Sequence, residues 1–218
     1  AVANIVTDSL IMNLDAGNAA SYPGTGTTWT DLSGNGNNAT LVNGVGYSSA
    51  DGGSLVFDGT NDYAYAYRGT SPTNTFEIWF KSSILQTKGL SETVNSAGQT
   101  NNSIPYFYVF MGITDSPIIE IYSSGPNYGT PFVYSISTWN CLTVTRNNST
   151  ESVYLNGVLK TSRNTINSGI STQSILNIGI GYHGNFSGNI SITRVYNKAL
   201  TQAEVTQNFD AIKVRYGL

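Results

Sequence analysis

The glutamates of this chain are the first candidates for chemistry, because hydrolysis of a glycosidic bond needs two carboxyl groups about 5 to 9 Å apart. On one face of a strand, that separation requires acidic residues two or four positions apart. The glutamates are instead isolated from one another, at Glu77, Glu92, Glu120, Glu151 and Glu204. The spacing favours a protein that is not an enzyme, and a hydrolase stays the alternative if distant carboxylates converge in the fold.

A cysteine and a histidine occur once each, as Cys141 and His183. Cys141 lies in an alternating, strand-like segment beside Trp139, and His183 lies in a glycine-flanked segment typical of a loop. We expect a buried structural thiol and an exposed loop histidine rather than a catalytic pair. One residue of each kind also excludes an intrachain disulfide and a zinc cluster of thiolates and imidazoles.

Two turn segments carry groups of oxygen-bearing side chains, which is the chemistry that calcium prefers. The candidate metal ligands are Asp31, Asn35 and Asn37 in one segment and Asp58, Asn61 and Asp62 in the other. Asp and Asn also close Asx turns by accepting hydrogen bonds from their own backbone. We favour the turns, so we expect no cofactor, or at most one structural Ca²⁺.

Tyrosine is abundant, with 14 residues in the chain, and an exposed tyrosine ring can stack on the apolar face of a sugar. The candidates for a carbohydrate site on rim loops are Tyr22, Tyr47, Tyr128, Tyr182 and His183. The alternating segment 63–67 is a second candidate, because it places three tyrosines on one face of a strand. A tyrosine ladder is also typical of an ordinary strand or of a contact between proteins.

The composition limits the classes of partner. Charged residues make up 11% of the chain and the net charge is -3, so no basic stripe is available for a nucleic acid. No apolar run approaches the roughly 20 residues of a membrane span, so we expect no membrane insertion. The chain begins with Ala1 rather than Met, and we expect a processed product or a piece of a longer protein.

Local patterns identify the elements that must position these residues. Segment 75–81 alternates, with Phe76, Ile78 and Phe80 on one face and polar or aromatic residues on the other, which predicts a half-buried strand. Segment 82–102 is polar and weakly patterned, and we predict a long loop or a poorly ordered strand pair. The tryptophans are assigned to the core, at Trp29, Trp79 and Trp139.

Turn and cap signals complete the prediction. Asn156 and Gly157 between two strand-like runs predict a hairpin with a type I′ turn, whose central residues need positive φ. Thr201 and Glu204 form a capping box that predicts a helix over about 202–211. Short strands, frequent turns and almost no helix predict an all-β sandwich or barrel, with residues 1–218 forming a single domain.

An ordered set of segments resembles a laminin-G-like domain of the concanavalin A-like lectin/glucanase superfamily. The segments are 14–18, 29–38, 55–63, 139–146, 154–157, 188–200 and 202–205. The resemblance implies an antiparallel jelly-roll sandwich of two sheets with one short C-terminal helix, which binds through rim loops or a sheet face. Many relatives carry an acidic pair before the Arg-Val-Tyr-Asn segment, whereas here Ile192 and Thr193 precede Arg194, which argues against a metal site that uses such a pair.

The resemblance, of a subtype similar to domains of phage and viral structural proteins, implies a non-catalytic binding or structural module displayed on a virion or a cell surface. On a virion it would serve as a fibre, tail or capsid decoration, and elsewhere as an extracellular adhesion domain. The expected partners are a glycan or host-surface receptor, other virion or cell-surface proteins, or a second copy of the chain. Two alternatives stay open, a glycoside hydrolase or lyase of the same fold and a purely architectural virion protein without a small ligand.

Overall fold

The computed structural model describes residues 4–67, 74–94, 107–111, 118–123, 132–147, 150–164, 174–181 and 183–218. Within these ranges the chain forms eighteen strands, one α-helix and two short 3-10 helices. The strands are β1 (Leu10–Asp15), β2 (Thr28–Trp29), β3 (Ala39–Val42), β4 (Gly46–Ser48), β5 (Ser54–Asp58), β6 (Tyr63–Tyr67), β7 (Thr75–Lys81), β8 (Lys88–Val94), β9 (Phe107–Met111), β10 (Ile118–Ser123), β11 (Phe132–Val133), β12 (Asn140–Asn147), β13 (Thr150–Leu155), β14 (Val158–Asn164), β15 (Ile175–Ile178), β16 (Ile180–Gly181), β17 (Gly184–Asn185) and β18 (Ser187–Tyr196). The 3-10 helices are Ala50–Gly52 and Lys213–Tyr216, and the α-helix α1 is Gln202–Ile212.

The strands build two large antiparallel sheets. Sheet A has the order β14-β13-β12-β7-β18-β5-β4, and β1 also pairs with the long strand β18. Sheet B has the order β11-β10-β9-β8-β15-β6-β3-β2. Strands β16 and β17 form a small separate hairpin. The predicted all-β sandwich of two sheets with a short C-terminal helix is confirmed.

The main core lies between the two sheets, where inward-facing residues of both pack in one cluster. Phe76, Ile78 and Phe80 of β7 enter it from sheet A, and Ala64 and Ala66 of β6 enter it from sheet B. This alternation is the period of two that a strand imposes on its side chains. The apolar face predicted for segment 75–81 is therefore confirmed.

The opposite face of β7 is also buried, so the prediction of a half-buried strand is wrong. Glu77 and Trp79 are both fully buried. Helix α1 and the following 3-10 helix cover this side of sheet A, and Phe209 of α1 stacks on Trp79 with ring centroids 5.6 Å apart. All three tryptophans are buried as predicted, although Trp79 and Trp139 lie beneath the C-terminal segment rather than between the sheets.

Segment 82–102 contains a central strand, so the prediction of a loop or poorly ordered strand pair is wrong for residues 88–94. Strand β8 pairs with β9 on one side and with β15 on the other. Its register shifts between Gly89 and Ser91, so that Leu90 and Ser91 are both buried. Such a bulge interrupts the alternation by which a strand is recognised in sequence.

The two local signals are confirmed in detail. Asn156 and Gly157 both have positive φ, 53° and 75°, as a type I′ turn requires. The Thr201 hydroxyl accepts a hydrogen bond from the Glu204 backbone N–H, and the Glu204 carboxylate accepts one from the Thr201 N–H at 2.9 Å. The residues that the structure describes include no helix with the length and apolarity needed to cross a membrane.

Candidate functional site

The outer face of sheet B presents a row of aromatic rings from a single strand. Strand β6 turns Ala64 and Ala66 into the core, where both are fully buried, and so places Tyr63, Tyr65 and Tyr67 on the other face. Tyr67 is 56% exposed, and the other two are partly exposed. We call these three residues the tyrosine strip.

Neighbouring rings of the tyrosine strip lie close to one another. The centroids of Tyr63 and Tyr65 lie 6.3 Å apart with the rings inclined by 34°, and those of Tyr65 and Tyr67 lie 6.2 Å apart with the rings nearly perpendicular. The second pair has the edge-to-face geometry that aromatic rings prefer. The strip is therefore a row of neighbouring rings along one strand.

A row of hydrogen-bonding groups crosses the tyrosine strip at its centre. Register pairs Thr40 of β3 with Tyr65, Tyr65 with Asn177 of β15, and Asn177 with Glu92 of β8. Residues directly opposite each other in an antiparallel pair lie on the same face of the sheet. The Asn177 amide donates a hydrogen bond to Glu92 Oε1 at 3.2 Å, in agreement with this placement. We call these four residues the polar row.

Glu92 is the ionisable group of the polar row. Burial raises the pKa of its carboxyl group, and the hydrogen bond from Asn177 opposes the shift without cancelling it. Glu92 Oε2 accepts no hydrogen bond from the described residues, and no described cation contacts the carboxylate. The carboxylate can therefore accept hydrogen bonds from a ligand.

The structure places Tyr22 inside the protein, so the prediction that it is an exposed rim residue is wrong. Its side chain is 3% exposed and its hydroxyl donates a hydrogen bond to the Gly26 carbonyl at 3.0 Å. The loop after β1 folds this ring into the main core, and burial raises the pKa of the phenol. The Tyr22 ring contacts Tyr47 of β4, which is 38% exposed, with ring centroids 5.5 Å apart.

Of the other three predicted rim residues, the structure describes His183 alone. His183 is exposed, as predicted, at the turn between β16 and β17, a hairpin that packs against β8 of sheet B. Tyr47 belongs to the edge of sheet A instead. Tyr128 and Tyr182 lie outside the described residues, so their part in a rim site stays a prediction.

Each predicted calcium group forms turn hydrogen bonds. In the first group, Asp31 Oδ1 accepts from the N–H groups of Asn13 and Ser33, and Oδ2 accepts from the Ser33 hydroxyl and the Asn37 N–H, at 2.8 to 2.9 Å. The side-chain amides of Asn35 and Asn37 donate to backbone carbonyls of β1. These bonds fasten segment 31–38 to β1.

In the second group, Asp58 Oδ1 accepts from the Thr60 N–H at 2.7 Å and the Asn61 N–H at 3.4 Å, and Asp62 Oδ2 accepts from the Asp58 N–H at 3.2 Å. The Thr60 N–H lowers the pKa of Asp58, whereas burial raises the pKa of Asp62. No three His, Cys, Asp or Glu side chains in the described part of the chain are placed to hold a metal ion. Calcium binding through the mixed Asp and Asn groups stays a prediction.

Most of the other glutamates are engaged with cations. Glu77 contacts Arg194 at 2.6 Å, Glu151 contacts Arg146 at 2.7 Å and Arg163 at 2.5 Å, and Glu204 contacts Lys198 at 2.7 Å. The side chain of Glu120 lies outside the described part of the structure. Glu92 thus differs from the paired glutamates in having only an amide as its described partner.

Cys141 and His183 occupy different parts of the molecule, as predicted. Cys141 is buried beneath the C-terminal segment on sheet A. Burial, with a smaller effect of the Glu77 charge, raises the pKa of the Cys141 thiol well above its usual value. A thiol in that state is a poor nucleophile at neutral pH.

The sequence interpretation identified the tyrosine strip but missed Glu92 and Asn177. These two residues are 85 positions apart and meet only through the pairing of β8 with β15. The one signal for Asn177 is its position as a polar residue in the apolar run 175–178. No sequence pattern indicated Glu92, since the bulge in β8 interrupts the alternation by which its strand would be recognised.

Solved structures with a similar fold include domains in complex with ligands. Domain 4 of AbnA, a GH43 extracellular arabinanase from Geobacillus stearothermophilus, was solved in complex with arabinotriose. Its TM-score is 0.70 at 17% identity, and the match covers 94% of this chain and 98% of that chain.

The binding domain of botulinum neurotoxin DC is similar as well. Its complex with SialylT matches with a TM-score of 0.69 at 13% identity, covering 94% of this chain and 52% of that chain. Its complex with rat synaptotagmin II matches with a TM-score of 0.70 at 14% identity, covering 95% and 52%. The present chain spans about half of the toxin domain, and at these identities the likeness shows the fold alone.

A comparison with curated proteins found no match. The family model described as concanavalin A-like lectin/glucanases superfamily matches residues 58–206. That range contains more than half of the chain, including β6 of the tyrosine strip and the central strands of both sheets. The chain therefore belongs to the concanavalin A-like lectin/glucanase superfamily.

Proposed function

We propose that this protein is a non-catalytic carbohydrate-binding module that holds a glycan on the outer face of sheet B. The observation that carries the proposal is the tyrosine strip with the polar row across it. Sugar rings have an apolar face that packs on aromatic rings and hydroxyl groups that bond to amides and carboxylates. Tyr65 would supply the packing surface, and Asn177 and Glu92 would bond the hydroxyl groups beside it.

The solved relatives of this fold support the class of ligand. The arabinanase domain, matched over 98% of its length, was solved in complex with arabinotriose. The toxin binding domain, matched over 52% of its length, was solved in complex with SialylT. The second candidate function is recognition of a receptor protein, since the neurotoxin domain was also solved with synaptotagmin II. The uncharged, aromatic character of the strip suits a protein contact too.

The non-catalytic part of the proposal rests on the described glutamates. Glu77 and Glu151 are fully buried in ion pairs, and such groups cannot approach a substrate without breaking the pair. Glu92 would then act as a binding group and not as one of two catalytic acids. A glycoside hydrolase or lyase is the alternative, and its signature would be release of reducing sugar by the purified protein.

We further propose that the module works outside the cell, as the arabinanase does. Display on a virion, as a fibre, tail or capsid decoration, stays a prediction from the sequence resemblance. So does a purely architectural role in a virion.

The test is a glycan array with and without calcium, followed by calorimetry with the best ligand. We expect saturable binding that falls at least about tenfold in Tyr65→Ala, because an aromatic contact at the centre of a site is a typical hot spot. Tyr65→Phe should retain most of the affinity, since it keeps the ring. Tyr47→Ala is the matched control, an exposed tyrosine on sheet A, and should bind normally.

Two outcomes would contradict the proposal. Loss of binding in Tyr47→Ala with none in Tyr65→Ala would move the site to the rim. An array without any binding, together with tight binding of a protein partner that Tyr65→Ala abolishes, would favour the second candidate function.

A further inference from the structure

Glu92 places a negative charge on the outer face of sheet B, beside the neutral residues of the polar row. The members of the tyrosine strip and the other members of the polar row are neutral. Glu92 Oε2 lies next to Gly181, where a Cβ would be 3.9 Å from that oxygen. Glu92 is also the described glutamate without a cationic partner. Among the described residues, no ion pair therefore compensates the charge of Glu92.

Most of the described cations pair with acids other than Glu92, and Lys160 lies on β14 at the edge of sheet A. Arg146, Arg163 and Arg194 bind the buried glutamates, Arg215 binds Asp15, and Lys198 binds Asp8 and Glu204. Lys81 contacts Asp51 and Lys213 contacts Asp210. Lys88 begins β8, four residues before Glu92, and its ammonium group approaches Gly184 of the small hairpin. Gly184 pairs with Gly181, which borders Glu92 Oε2, so Lys88 approaches the same hairpin as Glu92. None of these cations forms an ion pair with Glu92.

We infer that Glu92 makes this face selective for uncharged glycans and rejects glycans that carry a carboxylate or a sulfate. The inference rests on the proposed function and names the ligand class of the same site. For a neutral sugar, Glu92 Oε2 accepts a hydroxyl hydrogen in a charge-assisted bond, which is stronger than a bond between neutral groups. For an acidic sugar, the same carboxylate is a like charge next to the ligand, and such a juxtaposition opposes binding.

The environment of the Glu92 carboxylate is unfavourable for a charged group, and this supports a role for the charge in binding. Partial burial without a cation raises the pKa of Glu92, so the folded protein holds this carboxylate in an unfavourable environment. A glutamine would keep a hydrogen bond from Asn177 without that cost, since its side-chain carbonyl is also an acceptor. A purely structural role therefore does not need the charge.

The test compares matched oligosaccharides, one neutral and one with a terminal sialic acid or uronic acid, by calorimetry at neutral pH. We expect wild type to prefer the neutral ligand by about tenfold or more, and Glu92→Gln to reduce the preference to about twofold by gaining affinity for the acidic ligand. Asp210→Asn removes the same charge from α1 on the other side of the sandwich and should leave the preference unchanged.

The outcomes separate this inference from the proposed function. Suppose that wild type binds both ligands with equal affinity, that binding depends on Tyr65, and that Glu92→Gln changes neither affinity. This result would overturn the selectivity but leave the glycan site in place. Wild type that binds no glycan, or that binds normally in Tyr65→Ala, would overturn the proposed function and the selectivity with it. A shift of preference in Asp210→Asn as large as in Glu92→Gln would assign the effect to net charge and overturn the role of Glu92.

Discussion

Two glutamates show how neighbouring groups decide the role of a side chain. Glu77 Oε1 accepts from Arg194 at 2.6 Å and from the Trp79 indole at 3.2 Å, and Oε2 accepts from the Asn208 amide at 3.0 Å. Glu92 accepts from one amide and keeps an oxygen without a described partner. The first carboxylate is committed to the fold, and the second is available for a ligand.

We predict that Glu77→Gln lowers the free energy of unfolding by about 3 to 5 kcal/mol, because it leaves the buried Arg194 without its counter-charge. The new amide would also turn N–H groups toward a site that holds only donors. Urea unfolding followed by tryptophan fluorescence measures the change. Asp210→Asn removes an exposed ion pair with Lys213 and should cost less than about 1 kcal/mol. Equal losses in the two variants would contradict a structural role for the buried pair.

At the scale of elements, helix α1 determines which sheet face is closed. Phe209 stacks on Trp79 with an interplanar angle of 8°, and Tyr216 of the following 3-10 helix contacts both Trp79 and Trp139. The same helix supplies Asn208 to the Glu77 network. The outer side of sheet A is thereby part of the interior, and the helix is a structural cover.

We predict that Phe209→Ala destabilises the protein by about 2 to 3 kcal/mol, somewhat less than the loss of a fully buried phenylalanine. Removing the ring should also expose Trp79 and shift its fluorescence emission to longer wavelength. Val214→Ala is the control, because Val214 is 77% exposed and should change neither quantity. A stable Phe209→Ala variant with unchanged fluorescence would show that the cover does not depend on this stack.

The elements that sequence patterns predict well are those with local signals. The capping box at Thr201 and the Asn156-Gly157 turn depend on a few adjacent residues, and both are confirmed. The burial of the outer face of β7 was not predictable. A glutamate in a strand indicates a solvent-facing position, and only the fold brings the distant Arg194 and α1 against Glu77. Strand β8 was missed for a different reason, since its bulge removes the period of two on which recognition depends.

On the scale of the whole molecule, the sandwich has two unlike outer faces. Helix α1 covers sheet A, whereas the described part of sheet B presents the tyrosine strip and the polar row. The strip was predictable because it lies within one strand. The complete candidate site was not, because the polar row takes one residue from each of four strands, and register rather than sequence brings them together. The family resemblance predicts the scaffold but not the residues placed on it.

The turns that link the strands lead to a prediction about calcium. The four hydrogen bonds to Asp31 use about as many lone pairs as a carboxylate offers, so a cation would have to displace backbone donors. We therefore predict that millimolar calcium or a chelator shifts the melting temperature by less than about 1 °C. Calcium bound at a hundredfold excess over its dissociation constant would add about 2.7 kcal/mol and raise the melting temperature by about 5 to 10 °C. Differential scanning calorimetry separates these results, and a rise lost in Asp31→Asn or in Asp58→Asn would assign the ion to the corresponding turn.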